Sequence, residues 1–260
     1  QSDQTYGHCV DVAGLFHNIY SKIVTKKGRK NIFKNEQEIT FAGFIHDFGK
    51  SKIPKDILDS TVRFEMDSPE MEMMRAHPRN GVELLKEIDQ PDYILNMTHY
   101  HHLKLDPNLN SSYPKVDPGT EIIYETRLLA IIDIYQALIG KRSYKKSWSP
   151  SAAVRYIDAL AGIEMDMDVW DDFMEIVGYY PISTLVELSD DSVAFVMNVP
   201  DVDVMKPQVV IVRDPDGMDI SDHSILDLQE NQEITIIRDL DAHDFFGDQA
   251  LSMFTKINLK

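Results

Sequence analysis

The chain has 260 residues, room for one large domain or two modest ones around a core of ordinary size. Its 43% hydrophobic and 9% aromatic content describes a soluble globular protein, and its 26 Lys+Arg against 43 Asp+Glu give a formal charge of −17. Such a surface repels DNA and RNA, yet leaves room for a small anionic nucleotide held by a few local cations. Cys9, the only cysteine, excludes an intrachain disulfide and fits a reducing, cytoplasmic setting. No apolar run reaches the roughly 18 residues that a membrane span needs. The chain opens almost directly on a helix, without an initiator Met, so an upstream sensor or membrane region is expected to precede it.

In chain order, Val10, Ala13, Leu15, Phe16, Ile19 and Ile23 recur at helical spacing and predict a helix over about 3–25. A second helix is expected from Glu36 to His46, stopping at Gly49 before Ile53-Pro54. Ser68-Pro69-Glu70 carries a capping hydroxyl, a proline and an acid for a helix start. One continuous helix is expected from there, bearing Met71, Met74, His77, Leu84, Leu85 and Ile88. Pro91-Asp92 opens another through Ile94, Met97 and His101. Residues 105–118, rich in Pro, Asn, Ser and Asp, read as a long loop of the kind that often carries function. Residues 121–139 form a strongly apolar helix interrupted by Asp133; Ser149-Pro150 starts a further helix, and Val169 to Val177 marks the last. Near Pro181 the period changes to that of strands, expected at Thr184–Leu188, Ser192–Met197, Gln208–Arg213 and Glu233–Ile237, with a turn at Asp214–Gly217. The expected fold is mainly α: a helical bundle domain over 1–180 and a small β-rich C-terminal appendix over 181–260.

Chemistry concentrates in His8, the pair His46-Asp47, His77, the pair His101-His102, and Asp133. Five imidazoles and two carboxylates could hold two metal ions side by side, a common means of hydrolysing a phosphodiester. The mixed nitrogen and oxygen donors suit iron or manganese first and nickel or zinc next, and argue against calcium. Asp133 interrupts Leu128–Ile132, and a carboxylate buried there unpaired would cost several kcal/mol, so it needs a cation. His17, His223 and His243 read as ordinary hydrogen-bonded or exposed residues, and His99 as neighbouring the ligands.

The ordered set of His8, His46-Asp47-Phe48-Gly49-Lys50, His77-Pro78-x-x-Gly81, His101-His102 and Asp133, followed by Arg142, Tyr144 and Lys145, resembles the HD-GYP family. That family is a branch of the HD-domain metal-dependent phosphohydrolases, and the match covers about residues 4–150. The resemblance implies a bacterial phosphodiesterase opening a cyclic dinucleotide, cyclic di-GMP to linear pGpG or else cyclic GMP-AMP, by attack of a hydroxide shared between two metal ions. It implies that His8, His46, Asp47 and Asp133 hold one ion, with Asp47 bridging to a second held by His77, His101 and His102. Lys50, Arg142 and Lys145 would grip phosphate, Tyr113 would stack on a base, and a diguanylate cyclase could dock. The sequence also departs from the family. Gln4 stands where three-metal members carry a Glu, so two metals are expected; Leu103 replaces a Glu, Gln136 an Asp, and the Gly-Tyr-Pro signature is reduced to Ser112-Tyr113-Pro114. Gly178-Tyr-Tyr-Pro181 reads instead as a helix end and turn. A hydrolase of mononucleotides or linear dinucleotides, a binding or docking module without turnover, and a purely structural bundle are the competing readings.

Overall fold

In the computed structural model, the described residues are 3–62, 64–140, 147–200, 202–220 and 225–247. The chain divides into two compact units, residues 1–147 with 157–173, and residues 148–156 with 174–260.

The first unit is helical. Helix α1 (Asp3–Lys27) buries Val12, Phe16, Ile19, Tyr20 and Ile23, residues recurring at helical spacing. Gly43 of α2 (Glu36–Ile45) lets the two helices approach closely, since a Cβ there would lie 2.9 Å from the Ala13 Cα. Asn35 caps α2 by accepting from the Glu38 amide. A 3-10 turn (Phe48–Lys52) and a single turn, α3 (Lys55–Leu58), follow. The expected continuous helix from Ser68 is two: α4 (Pro69–Arg75) and α5 (His77–Lys86), with Ala76 between them. Pro78 explains the break, because its missing N–H is tolerated only in a first helical turn. Ile88 lies beyond α5 and is exposed, not core. Helix α6 (Asp92–Tyr100) and the long loop lead to α7 (Tyr124–Ile139), which buries most of its length, Asp133 included. Helix α8 (Pro150–Asp158) falls largely within the second unit and α9 (Met167–Val177) largely within the first. The Ser149 hydroxyl accepts from the Ala152 amide at the start of α8, and Gly178, at φ +72°, ends α9.

The second unit holds a five-stranded antiparallel sheet in the order β4-β3-β2-β1-β5. Its strands are β1 (Leu185–Leu188), β2 (Val193–Asn198), β3 (Gln208–Arg213), β4 (Ile225–Asp227) and β5 (Ile236–Leu240). The period of two divides β1 and β2 between two apolar layers: Leu185, Val193 and Phe195 on one side, Val186, Ala194 and Val196 on the other. The strand expected at 233–237 begins three residues later, after Ile234 has already joined one of those layers. Strand β4 and the short helix α10 (Ala242–Phe246) are not expected from the sequence. Among the described residues no helix is long and apolar enough to cross a membrane.

Candidate metal centre

Five helices and their ends bring the seven expected donors together. His8 lies in the second turn of α1 and Asp133 in the middle of α7. His46 caps the C-terminus of α2 and Asp47 follows it; His77 opens α5; His101 caps the C-terminus of α6 and His102 follows. His46, Asp47, His77, His101 and Asp133 are buried. Two groups of donor atoms lie within 4.8 Å of one another: Asp47 with His77, His101 and His102, and His8 with His46 and Asp47. Asp47 is common to both.

Helix ends explain why the rings point inward. The last carbonyls of a helix lack an intrahelical partner. His46 Nδ1 donates to the Gly43 carbonyl at 2.6 Å, His77 Nδ1 to that of Met74 at 2.7 Å and His101 Nδ1 to that of Thr98 at 2.9 Å. Each acceptor is three residues before its histidine, and each bond leaves Nε2 as a bare lone pair. Those lone pairs converge. His77 Nε2 faces His101 Nε2 at 3.2 Å, and Asp47 Oδ1 lies 3.1 Å from the first and 3.6 Å from the second. Neutral acceptors and a carboxylate facing one another at such distances repel unless a cation lies among them. His46 Nε2 and Asp47 Oδ1 are buried without a hydrogen-bond partner, and burying such groups unpaired is costly. His8 Nε2 lies 2.9 Å from Asp133 Oδ1 and 3.7 Å from Asp47 Oδ2. The donor set therefore fits divalent metal.

The protonation states agree with that fit. Burial pushes His101 down to about 4, and the neighbouring His46 and His77 charges act in the same direction against Asp47. Burial, with the charges of His101 and His77, also holds His102 well below the ordinary imidazole range. Burial alone would raise Asp47, but the Lys50 and His46 charges and its hydrogen bonds hold it well below the carboxylate range. Burial likewise opposes the ionised form of Asp133 and is outweighed by His8, His102 and His46, so it too is held low. His46 goes the other way: burial lowers it, yet Asp47 and Asp133 raise it above the ordinary value. A proton and a divalent cation thus compete for its Nε2 lone pair.

Lys50 reaches back from the 3-10 turn, its Nζ 2.5 Å from Asp47 Oδ2. Gly49, between them, is required by close approach: a Cβ there would fall 1.9 Å from the His77 carbonyl oxygen and 2.4 Å from the Gly81 amide nitrogen. The motif glycines therefore pack the turn carrying Asp47 directly against the helix carrying His77. Tyr113 packs on His102, ring centroids 4.7 Å apart and planes 31° apart, and the Arg75 guanidinium lies 5.4 Å from the centroid of the Tyr113 ring. Arg75 also donates to the Asn110 carbonyl at 2.6 Å, joining the long loop to α4. Leu103 lines a cavity of about 160 Å³ whose wall carries the Lys104–Glu164 and Arg127–Asp166 ion pairs. His99 stacks edge-on against Tyr100 and His17 pairs with Glu36; neither belongs to the two donor groups. Arg142, Lys145, His223 and the Gln4 side chain lie outside the described residues.

Sequence reasoning treats Gln136 only as a departure and passes over Asp11. Gln136 Oε1 accepts from His8 Nδ1, and Gln136 Nε2 donates to Asp11 Oδ2 at 2.9 Å. The available signal is one of spacing: Gln136 lies three residues after Asp133 and Asp11 three after His8, each on its ligand's helix face.

A helical domain organised around a buried His/Asp cluster fit to bind metal is the class these observations define. Residues 5–169 match the family model described as the HD domain, so the chain belongs to the HD-domain family, and the resemblance read from its motifs is borne out. Residues 185–247 match a KOW domain associated with the HD domain. Among curated relatives, a cyclic di-GMP phosphodiesterase of Pseudomonas aeruginosa is 29% identical over 176 residues, 67% of this chain and 41% of that protein. The cyclic di-GMP phosphodiesterase response regulator RpfG of Xanthomonas campestris is 34% identical over 48% of this chain and 32% of its own length. The 3'3'-cGAMP-specific phosphodiesterase 2 of Vibrio cholerae is 31% identical over 53% of this chain and 27% of its own. The chain spans less than half the length of these relatives.

Proposed function

We propose that this chain is a metal-dependent phosphodiesterase that hydrolyses a cyclic dinucleotide, cyclic di-GMP foremost, to linear pGpG. The observation that carries the reading is the convergence of six His and Asp donors in two groups that share Asp47, with Asp133 lying 2.9 Å from His8 Nε2 and 3.8 Å from His46 Nε2. His8, His46, Asp47 and Asp133 would hold one divalent ion and His77, His101 and His102 a second, with Asp47 common to both; iron or manganese suits these donors, then nickel or zinc. Such a pair, when bound, lowers the pKa of water toward neutrality and offsets charge developing on phosphoryl oxygens.

The chain's own groups supply the rest. The i−3 carbonyls hold the imidazoles with Nε2 inward before substrate arrives, so little reorganisation is needed at the moment of reaction. Asp47 keeps the Lys50 ammonium charged beside the centre, because burial would otherwise lower its pKa and the Asp47 charge raises it. Lys50 can then meet a phosphate oxygen as a charged donor. Arg142 and Lys145 are proposed as further phosphate contacts and Tyr113 as a platform for a base. The domain division at residue 180, with the sheet as an accessory to the catalytic helices, belongs to the same reading. Similarity to the 3'3'-cGAMP-specific enzyme favours cyclic GMP-AMP as a second substrate. The packing of Tyr113 onto His102, in place of an open stacking face, favours weak turnover as a second reading of the site.

The test is product formation from cyclic di-GMP and from 3'3'-cGAMP, resolved by chromatography, with metal content measured on the same sample. Hydrolysis that disappears on chelation and returns with manganese or iron supports the proposal. A metal-loaded protein that leaves both substrates intact, or hydrolysis indifferent to chelation, sinks it.

A further inference from the structure

His8 differs from the helix-end histidines of the centre in how its ring is held. His46 and His101 cap helix C-termini and His77 follows one, so each finds a main-chain carbonyl three residues back. His8 lies inside the 25-residue helix α1, where carbonyls are engaged in the helical ladder. A ring there needs an acceptor from elsewhere, and the only one contacting its Nδ1 among the described hydrogen bonds is the side chain of Gln136, from α7.

A primary amide can present either its oxygen or its nitrogen. The choice at Gln136 is settled by Asp11, one turn along α1 from His8. The Asp11 carboxylate only accepts, so it takes the Gln136 Nε2–H at 2.9 Å and turns Oε1 toward His8. With the amide fixed, His8 must donate from Nδ1, and its Nε2 lone pair turns inward, 2.9 Å from Asp133 Oδ1. Asp11 and His8 are on one helix and Gln136 and Asp133 on another, so the same two helices carry both the donors and the pair that aims them.

We infer that Gln136, oriented by Asp11, is the positioning residue that fixes the tautomer and direction of His8, and that it governs only the ion site to which His8 belongs. The other donor group, Asp47 with His77, His101 and His102, does not depend on this pair: His77 and His101 are held by main chain. This inference rests on the metal reading of the site above.

The experiment has two arms. In the first, manganese binding is followed by calorimetry for wild type, Gln136→Ala, Asp11→Ala, Gln136→Glu and the double variant Asp11→Asn with Gln136→Glu. Gln136→Ala should weaken one of two binding events by about 10- to 100-fold, the range for losing a group that orients a ligand, and leave the other unchanged. Asp11→Ala should weaken the same event, because the amide is then free to turn. Gln136→Glu alone should weaken it too, since that change sets two carboxylates against each other. The double variant should restore it: the new amide at position 11 can donate to the new carboxylate at position 136, which still accepts from His8. In the second arm, nitrogen NMR of the protein loaded with diamagnetic zinc, which takes the place of an Nε2 proton facing Asp133, reads which ring nitrogen of His8 carries the proton. Nδ1 is expected in wild type and in the double variant, and a mixture in Gln136→Ala. Equal binding of both ions by Gln136→Ala, or a zinc-loaded wild-type His8 protonated on Nε2, overturns the inference. Wild-type protein that takes up neither manganese nor zinc overturns the metal reading, and this inference with it.

Discussion

Replacing Gly49 by Ala tests whether the turn carrying the metal ligands is locked to the helix carrying His77. The new Cβ would lie 1.9 Å from the His77 carbonyl oxygen, 2.4 Å from the Gly81 nitrogen and 2.9 Å from the His77 carbonyl carbon. Ordinary contact begins about 1.5 Å further out than the closest of these. The obstructing atoms are backbone, so no rotamer change relieves the clash, and α5 and the 3-10 turn must part. Overpacking typically costs about 1–3 kcal/mol. A backbone clash belongs at the upper end, about 3 kcal/mol, or a fall in Tm of roughly 6–12 °C for a domain of this size. Gly14→Ala is the matched control. Gly14 is exposed within α1 and nothing lies within 4 Å of its Cβ position, so the change should stabilise by about 0.5–1 kcal/mol through helix propensity alone. Thermal unfolding of the two variants should therefore shift in opposite directions, with metal affinity reduced only in Gly49→Ala. A Gly49→Ala protein melting with wild type and binding metal normally would refute the close-approach argument.

Four further outcomes are expected. Asp47→Ala, removing the carboxylate common to both donor groups, should abolish turnover and bound metal together, read by activity and elemental analysis; retained turnover would contradict its bridging role. Lys50→Met should keep metal content, since no donor is lost, while turnover falls about 10²- to 10³-fold, the usual effect of losing one charge-stabilising group. Chelation should lower Tm reversibly, by an amount growing with the metal concentration that had been present, because a ligand that binds only the folded state stabilises by about 2.7 kcal/mol at a hundred times its Kd; a Tm indifferent to chelator would refute it. In the second unit burial would raise Asp239, but hydrogen bonds from Ser149, Ser151 and Arg155 hold it at about 2. A carboxylate lowered in the folded state stabilises above its unfolded value near 4 and loses that contribution as pH falls through about 2. Asp239→Asn should then cost about 1 kcal/mol at neutral pH after allowance for its exposure, and flatten the acid side of the unfolding curve.

The donors are legible in the sequence because each belongs to a chemically demanding type at a demanding place. Asp133 stands out as an acid inside an apolar helix, and the adjacent pairs His46-Asp47 and His101-His102 as donors at helix ends. What sequence does not supply is the means of holding them. Three imidazoles are oriented by main-chain carbonyls, and a carbonyl carries no residue identity. The fourth uses Gln136 and Asp11, which are common surface-type residues unless their partners are known. The break at Ala76 escapes a reading by period, although Pro78 announces it, because the apolar spacing continues across it to Leu85. Strand β4 is three residues long and joins the sheet by pairing with β3, so its existence depends on a distant neighbour more than on local pattern. Strand β5 starts late for a related reason: its first paired residue is set by Leu188 of β1, across an irregularity in the ladder.

The placement of His46 and His101 at helix C-termini has a consequence beyond aiming their rings. A helix C-terminus carries partial negative charge from unpaired carbonyls and favours a nearby cation by about 0.3–1 kcal/mol. The ends of α2 and α6 deliver their capping histidines to the same buried point, alongside the Asp47 and Asp133 carboxylates. Donating Nδ1–H to a terminal carbonyl satisfies that carbonyl and makes the imidazole a more basic donor through Nε2. Lys50 limits the excess of negative charge by pairing with Asp47, which leaves the Asp133 carboxylate facing only imidazoles among the described ion pairs, a site that attracts a cation. The formal charge of −17 over the whole chain is therefore compatible with an anionic substrate, because attraction at the centre would come from bound cations and Lys50, within a Debye length of about 8 Å, and not from the distant surface.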